Sequence, residues 1–221
     1  MAKLIVVRHG HTVFNRAGEG ERLRAWLDIP LSDQGLREAA EVATHLSAQP
    51  VEFILTSDLH RARQTADLIR AKTDVPLIPT GSLRPWNLGS LAGERVADIL
   101  ATLNRLQAEP DRRAPAGESL NEFFRRYSAH LQDLMDIAAR ARGNVVAVTH
   151  MRNFLATPVI LSGGDASSMP VKGGPETGAI IILEERRGKW GIVTGPDLGD
   201  AGGDRRGKQM AQPLSKAAAE R

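Results

Sequence analysis

The sequence contains no cysteine among its 221 residues. This absence excludes disulfide bridges, thiolate-bound metals, iron–sulfur clusters and a cysteine nucleophile. Long hydrophobic runs are also lacking. The apolar stretch near the start, Leu4 to Val7, is far shorter than the roughly 18 to 20 residues of a membrane span, and it is too short for the core of a signal peptide. We therefore expect a cytoplasmic protein that does not interact with membranes.

Lysine is scarce as well, because arginine supplies 23 of the 29 basic residues and lysine only six. Aspartate and glutamate together number 26, so the formal net charge is +3. A surplus this small does not indicate a nucleic-acid partner. Arginine favours planar, bidentate recognition of oxyanions. An arginine that lies beside other chemically suited side chains is therefore a candidate anion ligand.

Short apolar runs alternate with amphipathic segments along the chain, and the length suits one domain. The predicted strands span residues 3–7, 51–56, 75–78 and 144–149, and the predicted helices span residues 33–48, 59–71, 94–107 and 119–141. A hairpin with strands 178–183 and 190–193 closes the predicted order. Strands that alternate with helices predict an α/β sandwich around a largely parallel sheet.

The composition changes at about Gly195, and residues 195–221 contain no aromatic side chain. They also show no helical or strand period long enough to indicate an element. A segment of this kind buries too little apolar surface to order itself. We therefore predict one domain over residues 1–194 and a disordered tail over residues 195–221.

Two histidines follow two of the predicted strands. Arg8 and His9 come directly after the first apolar run, and His150 follows the run that ends at Thr149. Ligands of open α/β sheets bind at the carboxyl ends of the strands. If these two strands are neighbours, about 4.8 Å apart, the two imidazoles face one another across one pocket.

A third group comes from the second predicted helix, where Arg61 lies in the first turn. A helix N-terminus attracts anions, and a guanidinium group adds to that field. Two histidines with Arg8 and Arg61 suit phosphoryl transfer, in which one neutral imidazole attacks phosphorus. The other histidine, when protonated, stabilises charge on the phosphoryl oxygens. No metal or other cofactor is required, because the guanidinium groups supply the electrostatic stabilisation.

Together these motifs resemble the histidine phosphatase superfamily, the phosphoglycerate-mutase-like enzymes. The run LIVVRHGHTVFN is similar to the opening motif of that family, and PLSDQGLREAA, SDLHRARQTA, AGES and VAVTH follow in the family's order. The resemblance covers residues 3–183. It implies a three-layer α/β/α sandwich, with His9 as the phosphorylated nucleophile and His150 as the second catalytic histidine. It also implies that Arg8, Arg61 and Asn15 contact the phosphate.

One position departs from the family. Most members carry Leu-Arg-Glu after the second helix, and that glutamate donates a proton to the leaving group. Here Pro85 takes its place in the run LRPWNLG, and proline has no side-chain proton to donate. Glu118 in AGES is our first candidate for a substitute proton donor. The loop carboxylates Glu19, Glu21 and Glu94 are weaker candidates.

Three functions remain open at this point. The first is a metal-independent phosphatase that acts on a phosphorylated small molecule or a phosphoprotein, and the second is a phosphoglycerate mutase. The third is a phospho-ligand-binding module with weak or no catalysis, which the presence of a nucleophile disfavours. Arg84 and Trp86 are candidates for the pocket mouth, and Arg152 follows His150 by two residues. The sequence leaves the physiological substrate and the oligomeric state open.

Overall fold

The central sheet has six strands in the order β3-β2-β4-β1-β5-β6. The computed structural model describes residues 2–15, 20–170 and 173–195. Its strands are β1 (Leu4–Arg8), β2 (Val51–Ser57), β3 (Leu77–Thr80), β4 (Asn144–Thr149), β5 (Ile180–Arg186) and β6 (Lys189–Thr194). Its helices of more than one turn are α1 (Asp33–Ser47), α2 (His60–Thr73), α3 (Val96–Ala108), α4 (Leu120–Arg140) and α5 (Met151–Leu161).

The sheet is largely parallel, as predicted. β1 pairs with β4, β4 with β2, and β2 with β3, all in parallel. The last two strands form the predicted antiparallel hairpin at one edge. Its turn contains Arg187 and Gly188 with φ values of 54° and 76°, a pair of left-handed conformations that suits a tight hairpin.

Side chains of alternate residues in the strands enter two separate cores, which confirms the three-layer sandwich. On one face, Leu4 and Val6 of β1 join the apolar side chains of α4 and α5. On the other face, Ile5 and Val7 join those of α1 and α2. This alternation follows from the two-residue period of a strand, and burial of both faces explains the continuous apolar runs.

Capping hydrogen bonds from side chains define the first residues of two helices, α1 and α4. The Ser32 side chain accepts a hydrogen bond from the backbone N–H of Gly35 at the start of α1. Ser119 and Glu122 form a complete capping box at the start of α4, which satisfies two otherwise free donors. None of the described helices is long and apolar enough to cross a membrane.

The structure differs from the sequence-based prediction at two helices. In α1, helical spacing of the apolar residues predicts a buried face with Leu36, but that face includes Gly35 and Val42, and Leu36 is 39% exposed. The helix α5 was not predicted, because it is apolar on most sides and contains Pro158. The predicted tail lies outside the described residues, apart from Gly195.

Candidate active site

A cavity of about 560 Å³ opens at the carboxyl ends of β1 and β4. Its lining includes a cationic group of side chains and a mostly apolar group, which we call the cationic end and the apolar end. The cationic end consists of Arg8, His9, Arg24, Arg61 and His150. The apolar end consists of Trp86, Leu88, Val96, Leu100, Leu103, Arg152 and Leu155.

The two histidines meet because β1 and β4 are neighbours. Arg8 is paired with Thr149 in the parallel register, so His9 and His150 follow at the same edge. Their ring centroids lie 5.1 Å apart, with an interplanar angle of 63°. Relative exposure of each residue is 2%. The expected juxtaposition is therefore present in the structure.

His9 is held in a tautomer suited to a nucleophile. Its Nδ1 lies 2.7 Å from the carbonyl oxygen of Gly10. Because a carbonyl oxygen only accepts, Nδ1 carries the proton and Nε2 of the neutral ring carries the lone pair. Burial lowers the pKa of His9 well below its ordinary value, and the positive charges of Arg61 and Arg8 lower it further. His9 is therefore neutral at pH 7, with Nε2 available for attack.

Glycine at position 10 is required by close backbone packing. A Cβ atom there would lie 2.4 Å from the carbonyl oxygen of Gly35 in α1, which is far below a van der Waals contact. The N–H of Gly10 donates to Thr65 Oγ1 in α2 at 3.2 Å. These contacts fix the segment after β1, and with it the orientation of His9.

His150 is oriented by the neighbouring strand β2. Its Nε2 lies 2.8 Å from Ser57 Oγ, and its Nδ1 is buried with no partner among the described residues. If the serine hydroxyl donates to Nε2, Nδ1 of the neutral ring carries a proton that it can give to an oxyanion. Burial lowers the pKa of His150 well below its ordinary value, and the charge of Arg61 adds to this.

Arg8 and Arg61 reach the same end of the cavity, and both are nearly fully buried. Nη1 of Arg8 donates to the carbonyl oxygen of Pro175. Nη1 and Nη2 of Arg61 donate to the carbonyl oxygens of Leu27 and Ala25 at 2.7 and 2.8 Å. Ala25 has a φ of 38°, a conformation that costs energy for a residue with a Cβ atom. Arg61 therefore also holds the strained loop that passes over the site.

Arg24 is a third arginine of the cationic end, and sequence reasoning missed it. It precedes Ala25 in that loop, and its Nη2 lies 3.3 Å from Glu21 Oε1. Its charge lowers the pKa of Arg61, which burial brings to about 9. Burial lowers the pKa of Arg8 to about 10, and the charge of Arg24 contributes to this shift. No local pattern marks Arg24, because only the path of the loop brings it to the sheet edge.

Four nitrogen atoms at the cationic end are buried without a hydrogen-bond partner in the described part of the chain. They are Arg8 Nε, Arg24 Nη1, Arg61 Nε and His150 Nδ1. Buried donors without partners are rare in folded proteins and call for an explanation. Three guanidinium groups and two imidazoles around one space fit an anion with several acceptor oxygens, such as a phosphoryl group.

No group of three histidine, aspartate or glutamate side chains within the described ranges is placed to hold a metal ion. The positive charge at the cationic end comes from Arg8, Arg24 and Arg61. The only carboxylate among the described lining residues is that of Glu21, which pairs with Arg24.

Two predicted substrate contacts are not brought into the cavity. Asn15 instead accepts hydrogen bonds through Oδ1 from the N–H and the hydroxyl of Thr12, both at 2.9 Å. Arg84 pairs with Asp58 through two contacts of 2.8 and 2.6 Å, and its guanidinium lies 4.6 Å from the ring centroid of Trp26. Neither Asn15 nor Arg84 lines the cavity, and both support the surrounding loops.

Pro85 does line the cavity, whereas the candidate acid Glu118 does not. Glu118 accepts hydrogen bonds through Oε1 from the N–H of Asn87 at 2.8 Å and from Arg126 at 2.7 Å. These hydrogen bonds stabilise the loop that contains Pro85 from the side that does not line the cavity. Trp86 lines the cavity and is also a packed anchor of its loop, since it is buried and its Nε1 donates to the carbonyl oxygen of Glu118 at 3.0 Å. Of the other candidate acids, Glu21 lines the cavity and is paired with Arg24, Glu94 does not line the cavity, and Glu19 lies outside the described residues.

Comparison with known proteins agrees with this geometry. The family model described as histidine phosphatase superfamily (branch 1) matches residues 4–197. A relative from Yersinia pestis (strain Pestoides F), a probable phosphoglycerate mutase named GpmB, is 29% identical over 152 residues, which is 66% of this chain and 69% of that protein.

Solved structures share the fold at low sequence identity. A mycobacterial glucosyl-3-phosphoglycerate phosphatase has a TM-score of 0.73 at 24% identity, over 86% of this chain and 96% of the other. A phosphoserine phosphatase from Entamoeba histolytica, solved in complex with 3-phosphoglyceric acid, has a TM-score of 0.74 at 21% identity, over 91% and 98%. At these identities the likeness establishes the α/β/α fold.

Proposed function

The chain belongs to the histidine phosphatase superfamily (branch 1), and on that premise we propose that it is a metal-independent phosphatase that acts through a phosphohistidine at His9. One observation carries the proposal. The buried His9 presents an unprotonated Nε2, because Nδ1 donates to Gly10, at the edge of a cluster of three arginines and a second histidine.

In the first step, Nε2 of His9 attacks phosphorus and forms an N–P bond. The bond between phosphorus and the leaving-group oxygen breaks, and its electron pair departs with that oxygen. The free donors of Arg8, Arg24 and Arg61 bind the non-bridging oxygens and stabilise the charge that they carry in the transition state. Nδ1 of His150 supplies a further donor to these oxygens.

In the second step, water attacks the phosphohistidine. The N–P bond breaks, its electron pair returns to Nε2, and inorganic phosphate is released. One proton of the water is lost, and it balances the proton that the leaving group takes from solvent. The cavity volume of about 560 Å³ is within the range of small-molecule sites. This supports a phosphorylated small molecule rather than a phosphoprotein as the substrate.

The phosphoglycerate mutase alternative shares the first step and differs in the acceptor. In a mutase, a substrate hydroxyl takes the phosphoryl group from His9 in place of water. The phosphatases among the solved relatives favour hydrolysis. Because one sequence relative is a probable mutase, the experiment below also tests for transfer to a second substrate. The cytoplasmic location expected from the sequence remains a prediction.

The test is release of phosphate from 4-nitrophenyl phosphate with an excess of EDTA. We expect turnover by the wild type and a loss of at least about 10⁴-fold in His9→Ala, because removal of a nucleophile disables the whole catalytic unit. His45→Ala, an exposed histidine of α1, is the matched control and should retain full activity. Adding 3-phosphoglycerate distinguishes a mutase, which would transfer the phosphoryl group to it. Absence of turnover in the wild type would favour the binding module.

A further inference from the structure

The apolar end of the cavity is where the leaving group of a substrate must lie. The phosphoryl group takes up the five side chains of the cationic end, and the rest of the lining of the same cavity is left for the leaving group. α3 contributes Val96, Leu100 and Leu103 to the apolar end, and each of these side chains is only half-buried. Partly exposed apolar side chains that face a cavity offer a surface for an apolar part of a ligand.

Arg152 is the one charged side chain of this apolar end among the described lining residues. It lies in the first turn of α5, and its guanidinium carbon is 5.6 Å from the ring centroid of Trp86. Nη1 donates to the carbonyl oxygen of Pro170 at 3.2 Å and lies 3.5 Å from Gln107 Oε1. The side chain is therefore held in place by three neutral groups.

No carboxylate in residues 2–15, 20–170 or 173–195 forms a salt bridge with Arg152. Burial alone lowers its pKa to about 10, so it stays charged at pH 7. Arg152 is half-buried, and a charge that is partly removed from water costs free energy unless an opposite charge compensates it. Arg84, by contrast, also lies over a tryptophan ring but is paired with Asp58.

We propose that Arg152 binds a second anionic group, a carboxylate or a phosphate, that the leaving group of the substrate carries. This inference rests on the proposed phosphatase function and names its substrate class. A guanidinium fork matches both anions through paired hydrogen bonds. The N-terminus of α5 adds a favourable field in the same place.

The substrates of this class have three parts. A phosphoryl group lies at the cationic end, an apolar body lies against the half-buried side chains of α3, and an anion reaches Arg152. Phosphorylated aromatic acids are simple probes with this arrangement. They also have good leaving groups, so their cleavage does not depend on a proton donor at the position of Pro85.

Three aryl phosphates test the proposal: 4-carboxyphenyl, 4-phosphonophenyl and 4-carbamoylphenyl phosphate. The carboxamide has nearly the shape of the carboxylate but no charge, and it is the more electron-withdrawing substituent. A preference for the carboxylate therefore cannot come from leaving-group acidity. The carboxylate and phosphonate probes together show which anion is preferred.

We expect the wild type to favour at least one anionic probe over the carboxamide by about tenfold or more in kcat/KM, the effect typical of a hydrogen bond to a charged group. In Arg152→Gln this ratio should fall to about one, whereas Arg152→Lys, which keeps the charge, should retain part of it. Arg105→Gln removes an exposed charge of α3 and should leave the ratio unchanged.

A wild-type ratio of one or less for both anionic probes would overturn the proposal, even if Arg152→Gln does not fold. So would an Arg152→Gln variant that loses all three activities equally, because Arg152 would then serve only to hold Trp86. If the wild type cleaves none of the probes faster than His9→Ala does, the proposed phosphatase function itself fails. These outcomes are separate, so the two proposals are tested independently.

Discussion

The cationic end and the apolar end of the cavity are built from different parts of the fold. At the cationic end, Arg8 is the last residue of β1, and His9 and His150 follow directly after the paired strands β1 and β4. At the apolar end, Trp86 comes from a loop and Leu100 from α3. Strand register fixes atom positions closely, whereas loops and a peripheral helix tolerate sequence change. The first end therefore suits the shared chemistry of phosphoryl transfer, and the second suits substrate selection.

After the nucleophile His9, the largest effect is expected from Arg61 at the cationic end. We expect Arg61→Lys to lower kcat/KM for 4-nitrophenyl phosphate by about 10² to 10³-fold, the usual cost of one lost transition-state donor. Arg61→Ala should be only slightly worse, because an ammonium group cannot reproduce a planar fork that also bonds Ala25 and Leu27. Arg63→Lys, on the exposed side of α2, is the control. Wild-type turnover in Arg61→Lys would show that this arginine is not part of the site.

Pro85 predicts a steep dependence of the rate on the acidity of the leaving group. Pro85 lines the cavity, and the sequence resemblance implies that it replaces the family's proton donor, whose contribution is typically about 10² to 10⁴ in rate. We therefore expect 4-nitrophenyl phosphate to be cleaved at least about 100-fold faster than a simple alkyl phosphate. Steady-state kinetics on the two substrates measures this ratio.

Glu118→Gln separates this expectation from its alternative. Because Glu118 bonds Arg126 and Asn87 outside the cavity, the substitution should lower the melting temperature and leave the substrate ratio unchanged. Selective loss of alkyl phosphate cleavage would instead identify Glu118 as the acid. Equal rates on both substrates in both proteins would contradict the interpretation of Pro85.

Acid should destabilise the cationic end in particular. The pKa values of His9 and His150 are lowered in the folded protein, so below about pH 6.5 the unfolded chain binds more protons than the folded one. Well below pH 6.5, the two histidines together then lower the unfolding free energy by at most about 3 kcal/mol for each further pH unit. Denaturant unfolding at pH 7.5, 6.0 and 5.0 measures this slope. His9→Gln, which does not titrate, should have a shallower slope, and an equal slope would contradict the assignment.

The smallest effect is expected beyond the domain. Truncation after Thr194 removes a segment without aromatic residues, which has little apolar surface to bury. We expect the melting temperature and the kcat/KM of the truncated protein to equal those of the full chain within experimental error. A fall of several degrees on calorimetry would show that residues 195–221 contribute to the domain.

The same contrast explains what could be predicted from the sequence. His9 and His150 were placed together because two apolar runs each end in a histidine, and parallel strands end at one edge of a sheet. Ser57 could have been found in the same way, since it ends β2 beside β4. The local capping signals of α1 and α4 were equally readable.

The positions of the Arg24 and Glu118 side chains could not be predicted from the sequence. Arg24 reaches the cationic end through a loop whose path depends on hydrogen bonds from Arg61. Glu118 faces away from the cavity because Arg126, eight residues later, binds its carboxylate. Both positions depend on contacts between segments distant in sequence or on the direction of one side chain. No periodicity or spacing encodes either of them.

The phosphorylated residue itself tests the central claim most directly. Wild-type protein and His9→Ala are mixed with 4-nitrophenyl phosphate, quenched without acid to preserve a phosphohistidine, and mapped by mass spectrometry of peptides. We predict that phosphate is found on His9 in the wild type and on no residue in His9→Ala. Phosphate on a different residue, or wild-type turnover by His9→Ala, would contradict the assignment of His9 as the nucleophile.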